Sequence, residues 1–176
     1  MLGAVIAGSA TGERAVEAIV DQYCGLFGNS HVFCRPEIPA SCLGAALERF
    51  AVGVRPDEVL VLIDDTLRRS GNSGLVLTAR QLFAKYNFEP PKHIALAAIV
   101  SVELREKWTA AELVINGVTF QGFSCAKRES IRLFTQMLVQ IVAARGSAAA
   151  QPSGVAAANP DLGEAAASLQ DLKRLL

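Results

Sequence analysis

The chain has 176 residues, with 17 lysines plus arginines against 17 aspartates plus glutamates and a formal net charge of zero; the length suits one domain with an appendage, and the charge lacks the basic footprint of a nucleic-acid binder, so no nucleic-acid partner is expected. Alanine runs near the C-terminus inflate the hydrophobic share of 51%, and no stretch approaches the roughly 18 apolar residues of a membrane span. The short apolar opening Leu2 to Gly8 has no basic region before it, so a soluble, cytoplasmic chain is expected.

Residues 13 to 27 place Ala15, Val16, Ile19, Val20, Tyr23, Leu26 and Phe27 at helical spacing, with Thr11 as the expected N-cap and Gly28-Asn29 as the stop. A loop punctuated by Pro36 and Pro39 follows. Ser41 is then expected to cap a second helix through about Ala51 that buries Leu43, Ala46, Leu47 and Phe50. Residues 1–52 are therefore expected to form an N-terminal helical region.

The texture changes at Glu58. Val59 to Ile63 is a continuous apolar run between Pro56-Asp57 and Asp64-Asp65, the pattern of a buried strand. Strand patterns recur at Leu75 to Thr78, Gln81 to Tyr86, Lys92 to Leu96 and Ile99 to Lys107. Glu112 to Ile115 and Val118 to Gln121 flank Asn116-Gly117, the pair preferred in two-residue type I′ hairpin turns, so a hairpin is expected there. A closing helix is expected over 126–144, capped by Ser124, with Ile131, Phe134, Leu138, Ile141 and Val142 facing inward. Strands in series followed by one helix, without βαβ alternation, give an α+β class with antiparallel pairing. Residues 53–145 are expected to be this unit. Of the 18 residues in 146–163, 13 are Ala, Gly, Ser or Pro, which predicts a flexible linker. A short helix over 164–176 follows, with Leu169, Leu172 and Leu176 on one face; it is too short to hold alone, so these leucines are expected at an interface, within this chain or with a second copy.

Cys24, Cys34, Cys42 and Cys125 are expected to be unpaired thiols, because a chain of this size needs no staples and the expected compartment is reducing. The group Cys24, His31, Cys34 and Cys42, spaced C-x6-H-x2-C-x7-C, lacks the paired knuckle of zinc sites, so neither metal nor other cofactor is expected.

The stretch Glu58 to Val142 resembles a bacterial pleckstrin-homology-like domain, a small antiparallel β-barrel closed by a C-terminal helix. The resemblance covers about half the chain. It is carried by Val61-Leu62-Ile63-Asp64-Asp65-Thr66, Gly74 to Thr78 with Leu82-Phe83, Tyr86-Asn87-Phe88-Glu89-Pro90, Ile99 to Glu103, Leu113 to Gly117 and the closing amphipathic helix. The resemblance implies a barrel over 58–142 and, since many members have no known enzyme activity, a chain that is not an enzyme. Leu169 to Leu176 is similar to the opening of the short oligomerisation helix that follows the barrel in such proteins. The helices of residues 1–52 lie outside the family pattern.

Adjacent Asp64 and Asp65 could serve a metal or phosphoryl-transfer site, but at a strand end they point to opposite faces, and a turn or cap role with Thr66 is the expectation. Arg68-Arg69, before Ser70 to Gly74, forms a basic loop where eukaryotic pleckstrin-homology domains bind phosphoinositides; these two are the candidate anion-binding residues. Only His31 and His93 could serve as base for a cysteine nucleophile, and G-x-S-x-G, the P-loop, G-x-G-x-x-G and H-E-x-x-H are all missing, so no catalytic residue is assigned. The aromatics Phe83, Tyr86, Phe88 and Trp108 are candidates for a partner contact, with core packing the expectation for Phe83; Trp108, at a strand end between Lys107 and Thr109, is the candidate exposed anchor. The function expected is a non-catalytic protein–protein interaction module with an unidentified protein partner, self-associating as a homo-oligomer or acting as an inhibitor or immunity-type protein. The alternatives are a peripheral binder of anionic lipid or phosphate groups, making weak membrane-surface contact without a transmembrane segment, and an enzyme whose site is not recognisable from sequence.

Overall fold

The computed structural model describes residues 3–28, 31–108 and 110–150, with side chains over 10–145 of those. Leu169, Leu172 and Leu176, with the expected helix 164–176 and the linker beyond 150, lie outside the described residues. The elements in order are α1 (Gly3–Cys24), β1 (Val32–Cys34), α2 (Ala40–Arg49), β2 (Val59–Asp64), β3 (Gly74–Thr78), β4 (Gln81–Lys85), β5 (Lys92–Ala95), β6 (Val102–Glu106), β7 (Ala111–Ile115), β8 (Val118–Phe123) and α3 (Arg128–Ala150). The class is α+β, and every pairing is antiparallel: one sheet runs β1-β2-β3-β4-β5, a second runs β6-β7-β8. No closed barrel is present among the described residues. The sheets instead approach each other where β8 meets β3 and β4, and α3 packs on β6, β7 and α1.

The five-stranded sheet is covered on both faces, which explains why β2 reads as an unbroken apolar run. Val61, Ile63, Leu75, Leu77 and Leu82 join the larger core with Val16 and Val20 of α1, Leu113 and Ile115 of β7, and Ile131, Phe134, Leu138 and Ile141 of α3. On the opposite face Val59, Leu62, Val76 and Phe83 pack with Cys42, Ala46 and Phe50 of α2 and its flank. A register shift between Val59 and Val61 lets both of these side chains be buried without sharing a face.

Several boundaries differ from those expected. Helix α1 begins ten residues before Glu13, so Thr11 lies inside it rather than capping it. Pro39 precedes α2, and Ser41 lies within the helix. Residues 1–52 are not a purely helical preface, because β1 adds a strand to the sheet through Val32↔Ile63 and Cys34↔Val61. The strand expected from Ile99 starts only at Val102, since the backbone N–H groups of Val100 and Ser101 donate to Asn116 Oδ1 at 2.8 and 3.1 Å instead of to a ladder. The hairpin turn is as expected: Asn116 and Gly117 have φ of +51° and +79°, the left-handed pair that a type I′ turn requires. The closing helix continues through Ala150, beyond 144 and into the segment read as linker.

The cysteine expectation is corrected for two of the four. The last turn of α1 lies beside β1, with Cα atoms 5.8 Å apart, and Cys24 and Cys34 form a disulfide; Cys42 and Cys125 are free. Among the described residues no helix is long and apolar enough to cross a membrane.

Candidate functional site

Two buried carboxylates at the end of β2 organise one end of the molecule. Asp64 accepts bonds from the Thr66 N–H (3.0 Å), the Thr66 hydroxyl (2.6 Å) and the Gly71 N–H (3.0 Å), with the Cys42 thiol 3.7 Å away. The loop of residues 65–73 is thus closed around the carboxylate of Asp64, which precedes it. The Cys42 thiol also donates to the Arg69 carbonyl at 3.0 Å. Burial, and then the nearby Asp64 charge, pushes the Cys42 thiol above its ordinary pKa, so it stays protonated as a donor. Gly71, at φ +70°, is the residue this closure demands, since a Cβ there would lie 2.3 Å from the Cys42 carbonyl oxygen.

Asp65 reaches the other way. Its carboxylate accepts the N–H groups of Ser124 (3.0 Å), Cys125 (2.7 Å) and Ala126 (3.0 Å) and the Ser124 hydroxyl (3.3 Å), which pins the segment entering α3. Ser124 is therefore a donor to Asp65 and not the cap of α3, whose first residue is Arg128. Asp64 fills the local turn role expected of the pair. Asp65 departs from the local role expected of it: its carboxylate acts 59 to 61 positions away in sequence, on Ser124, Cys125 and Ala126.

Further bonds join the remaining loops to this end. The Ser73 hydroxyl donates to the Lys85 carbonyl at 2.8 Å and accepts the Asn87 N–H at 3.2 Å, tying 65–73 to the β4–β5 loop. The Arg128 guanidinium donates to the Trp108 carbonyl, and Arg132 donates to Glu106 at 2.7 Å, tying the β6–β7 loop to the first turns of α3. That last bond holds the Glu106 carboxyl below the usual carboxylate range.

Each of the three pinned loops carries a large apolar side chain in solvent: Leu67 is 86% exposed, Phe88 fully exposed and Trp108 94% exposed. Exposed Arg68 and Arg69 follow Leu67 and exposed Lys107 precedes Trp108 on these loops, while exposed Lys127 and Arg128 lie at the start of α3. The expected exposure of Trp108 is observed. Arg68 and Arg69 are both exposed, but the Arg69 guanidinium lies 6.0 Å from the centroid of the Phe33 ring and lines a cavity of about 290 Å³ with the Cys24–Cys34 disulfide; Arg68 does not line it. Phe88 is among the aromatics the sequence offers for a partner contact, and it is fully exposed; Phe83, of the same group, is buried. Leu67 was not singled out from sequence: its only signal was a large apolar residue inside a turn-rich loop, and it was the topology that brought these loops to one end. Comparison with protein-family models, with curated proteins and with solved structures finds no match.

Proposed function

We propose that this chain is a non-catalytic protein-binding module of pleckstrin-homology-like architecture that docks through its loop end. The architectural part is supported by the order of elements: a meander of β2 to β5, a second meander of β6 to β8, then α3 against the sheet. The observation that carries the docking reading is the display of Leu67, Phe88 and Trp108 in solvent on loops whose polar groups are bonded from below. Exposed aromatic side chains held on an ordered frame lose little entropy on binding, and so make good interface anchors. The non-catalytic reading is supported by Asp64 and Asp65, whose oxygens are occupied by backbone and hydroxyl donors. A photo-crosslinking amino acid in place of Trp108, in the cells that make the protein, should give a discrete protein adduct that weakens when Leu67 and Phe88 become serine. Failure to form any protein adduct would remove this reading.

A second reading, contact with an anionic membrane surface, is favoured by exposed Arg68 beside Leu67 and by exposed Lys127 and Arg128 at the start of α3, where Arg128 bonds the Trp108 carbonyl. Vesicles containing phosphatidylserine distinguish the two: lipid docking predicts sedimentation with vesicles that salt weakens, and protein docking predicts none. The compartment is tied to the disulfide. Such bonds persist where the surroundings are oxidising, so the cytoplasmic placement expected from sequence is retained only if protein taken from its own cells has Cys24 and Cys34 reduced.

A further inference from the structure

A second site lies on the outer face of the five-stranded sheet, away from the loop end. One cross-strand row runs Phe33, Leu62, Val76, Phe83, His93 over all five strands. Helix α2 has only 10 residues, about 15 Å of length, and it packs over the first part of that row through Cys42, Ala46 and Phe50. Where the helix stops, at Arg49 and Phe50, a cleft of about 730 Å³ opens with Phe83 and His93 among its lining residues. Their rings form a tilted pair, 5.9 Å between centroids and 30° between planes. The remaining walls come from α1, from the segment leading into β2 and from the β3–β4 turn.

The charges lining this cleft are unevenly engaged. Glu13 holds Arg80 at 2.8 Å, Glu17 holds Arg35 at 3.3 Å, Asp57 holds Arg55 at 2.9 Å and Glu58 accepts the Arg55 backbone N–H at 3.0 Å. Three of the four carboxylates of the lining thus have a cationic partner, and the fourth, Glu58, is held by a backbone N–H. Arg49 and His93 have no ion-pair partner among the described residues. The donors left for a ligand are therefore the Arg49 guanidinium and the His93 ring, in walls that carry more acids than bases. A carboxylate suits an exposed guanidinium through paired N–H bonds, and a flat apolar body suits an aromatic pair in a concave site of this size.

We infer that this cleft binds a small aromatic carboxylate, with the anionic group on Arg49 and the ring system against the Phe83–His93 pair. This site is independent of the loop end, so its failure leaves the docking proposal standing. The test uses 2-naphthoate and the full chain, followed by backbone amide NMR and calorimetry. Saturable shifts should be confined to residues 13–17, 49–58, 78–83 and 91–94, and the uncharged analogue 2-naphthalenemethanol should bind about tenfold or more weakly. Arg49→Gln should lower affinity for the acid by a similar factor and leave the alcohol unchanged. Arg49 is exposed, so this variant should keep the dispersed spectrum of the folded chain. Absence of saturable shifts into the millimolar range, shifts centred elsewhere, or equal binding of acid and alcohol would overturn the proposal, as would an unchanged affinity in Arg49→Gln.

Discussion

The loop end and the outer-face cleft place their polar and apolar groups in opposite ways. At the loop end two carboxylates are buried while Leu67, Phe88 and Trp108 stand in solvent. At the cleft Phe50 and Phe83 are buried while Arg49, Arg80 and His93 stand at the surface. The difference shows that apolar exposure at the loop end does not come from a shortage of core to fill, since the same chain buries its aromatics a few strands away. A frame of hydrogen bonds, several of them charge-assisted, holds the loops without the side chains of Leu67, Phe88 and Trp108, which leaves those side chains free to meet something else.

The comparison breaks most severely at Asp65. Asp65→Ala would leave the N–H groups of Ser124, Cys125 and Ala126 without their acceptor, and urea unfolding should show a loss of about 3 kcal/mol. Faster amide exchange at 124–126 and 107–108 should accompany it, with the cleft residues unaffected. If exchange rose equally at both sites, the carboxylate frame would not be specific to the loop end.

Next in size is the Cys24–Cys34 bond, which closes a separation of 10 residues beside the cleft-bearing sheet. Loop closure of that length contributes about 2 to 3 kcal/mol, so Cys24→Ser with Cys34→Ser should lower the urea midpoint accordingly. Alkylation of unreduced, denatured protein should label Cys42 and Cys125 only, and labelling of all four would contradict the pairing.

A smaller effect belongs to Glu106. Its carboxyl titrates below the usual range because Arg132 donates to it. The pair therefore contributes fully above the ordinary carboxylate pKa, and the contribution fades as pH falls through the depressed folded value. Glu106→Gln should flatten the acid side of the stability–pH curve and loosen the β6–β7 loop that carries Trp108. An unchanged acid side would show that the ion pair does not hold the loop.

What was legible in the sequence was what local chemistry decides. Asn116-Gly117 favours two left-handed residues, so the hairpin turn could be placed, and the unbroken apolar run Val59 to Ile63 read as a buried strand, which the structure covers on both faces. Strand β1 was not legible: three residues carry no alternation, and their conformation is set by pairing with β2 some 30 positions away. The disulfide was missed for the same reason, because it depends on β1 lying beside the end of α1. At the site, Trp108 and the turn role of Asp64 were legible from neighbouring residues. The reach of Asp65 to the segment entering α3, and the placing of the Leu67 and Phe88 loops at the same end as Trp108, depend on how two sheets and a helix meet.

The central claim, that the loop-end tips serve a contact outside the chain and not the fold, is tested most directly by unfolding the triple variant Leu67→Ser, Phe88→Ser, Trp108→Ser in urea. The account predicts a free energy within about 0.5 kcal/mol of the parent, as for exposed positions without packing partners. A loss of several kcal/mol would show that these side chains belong to the core and would contradict it.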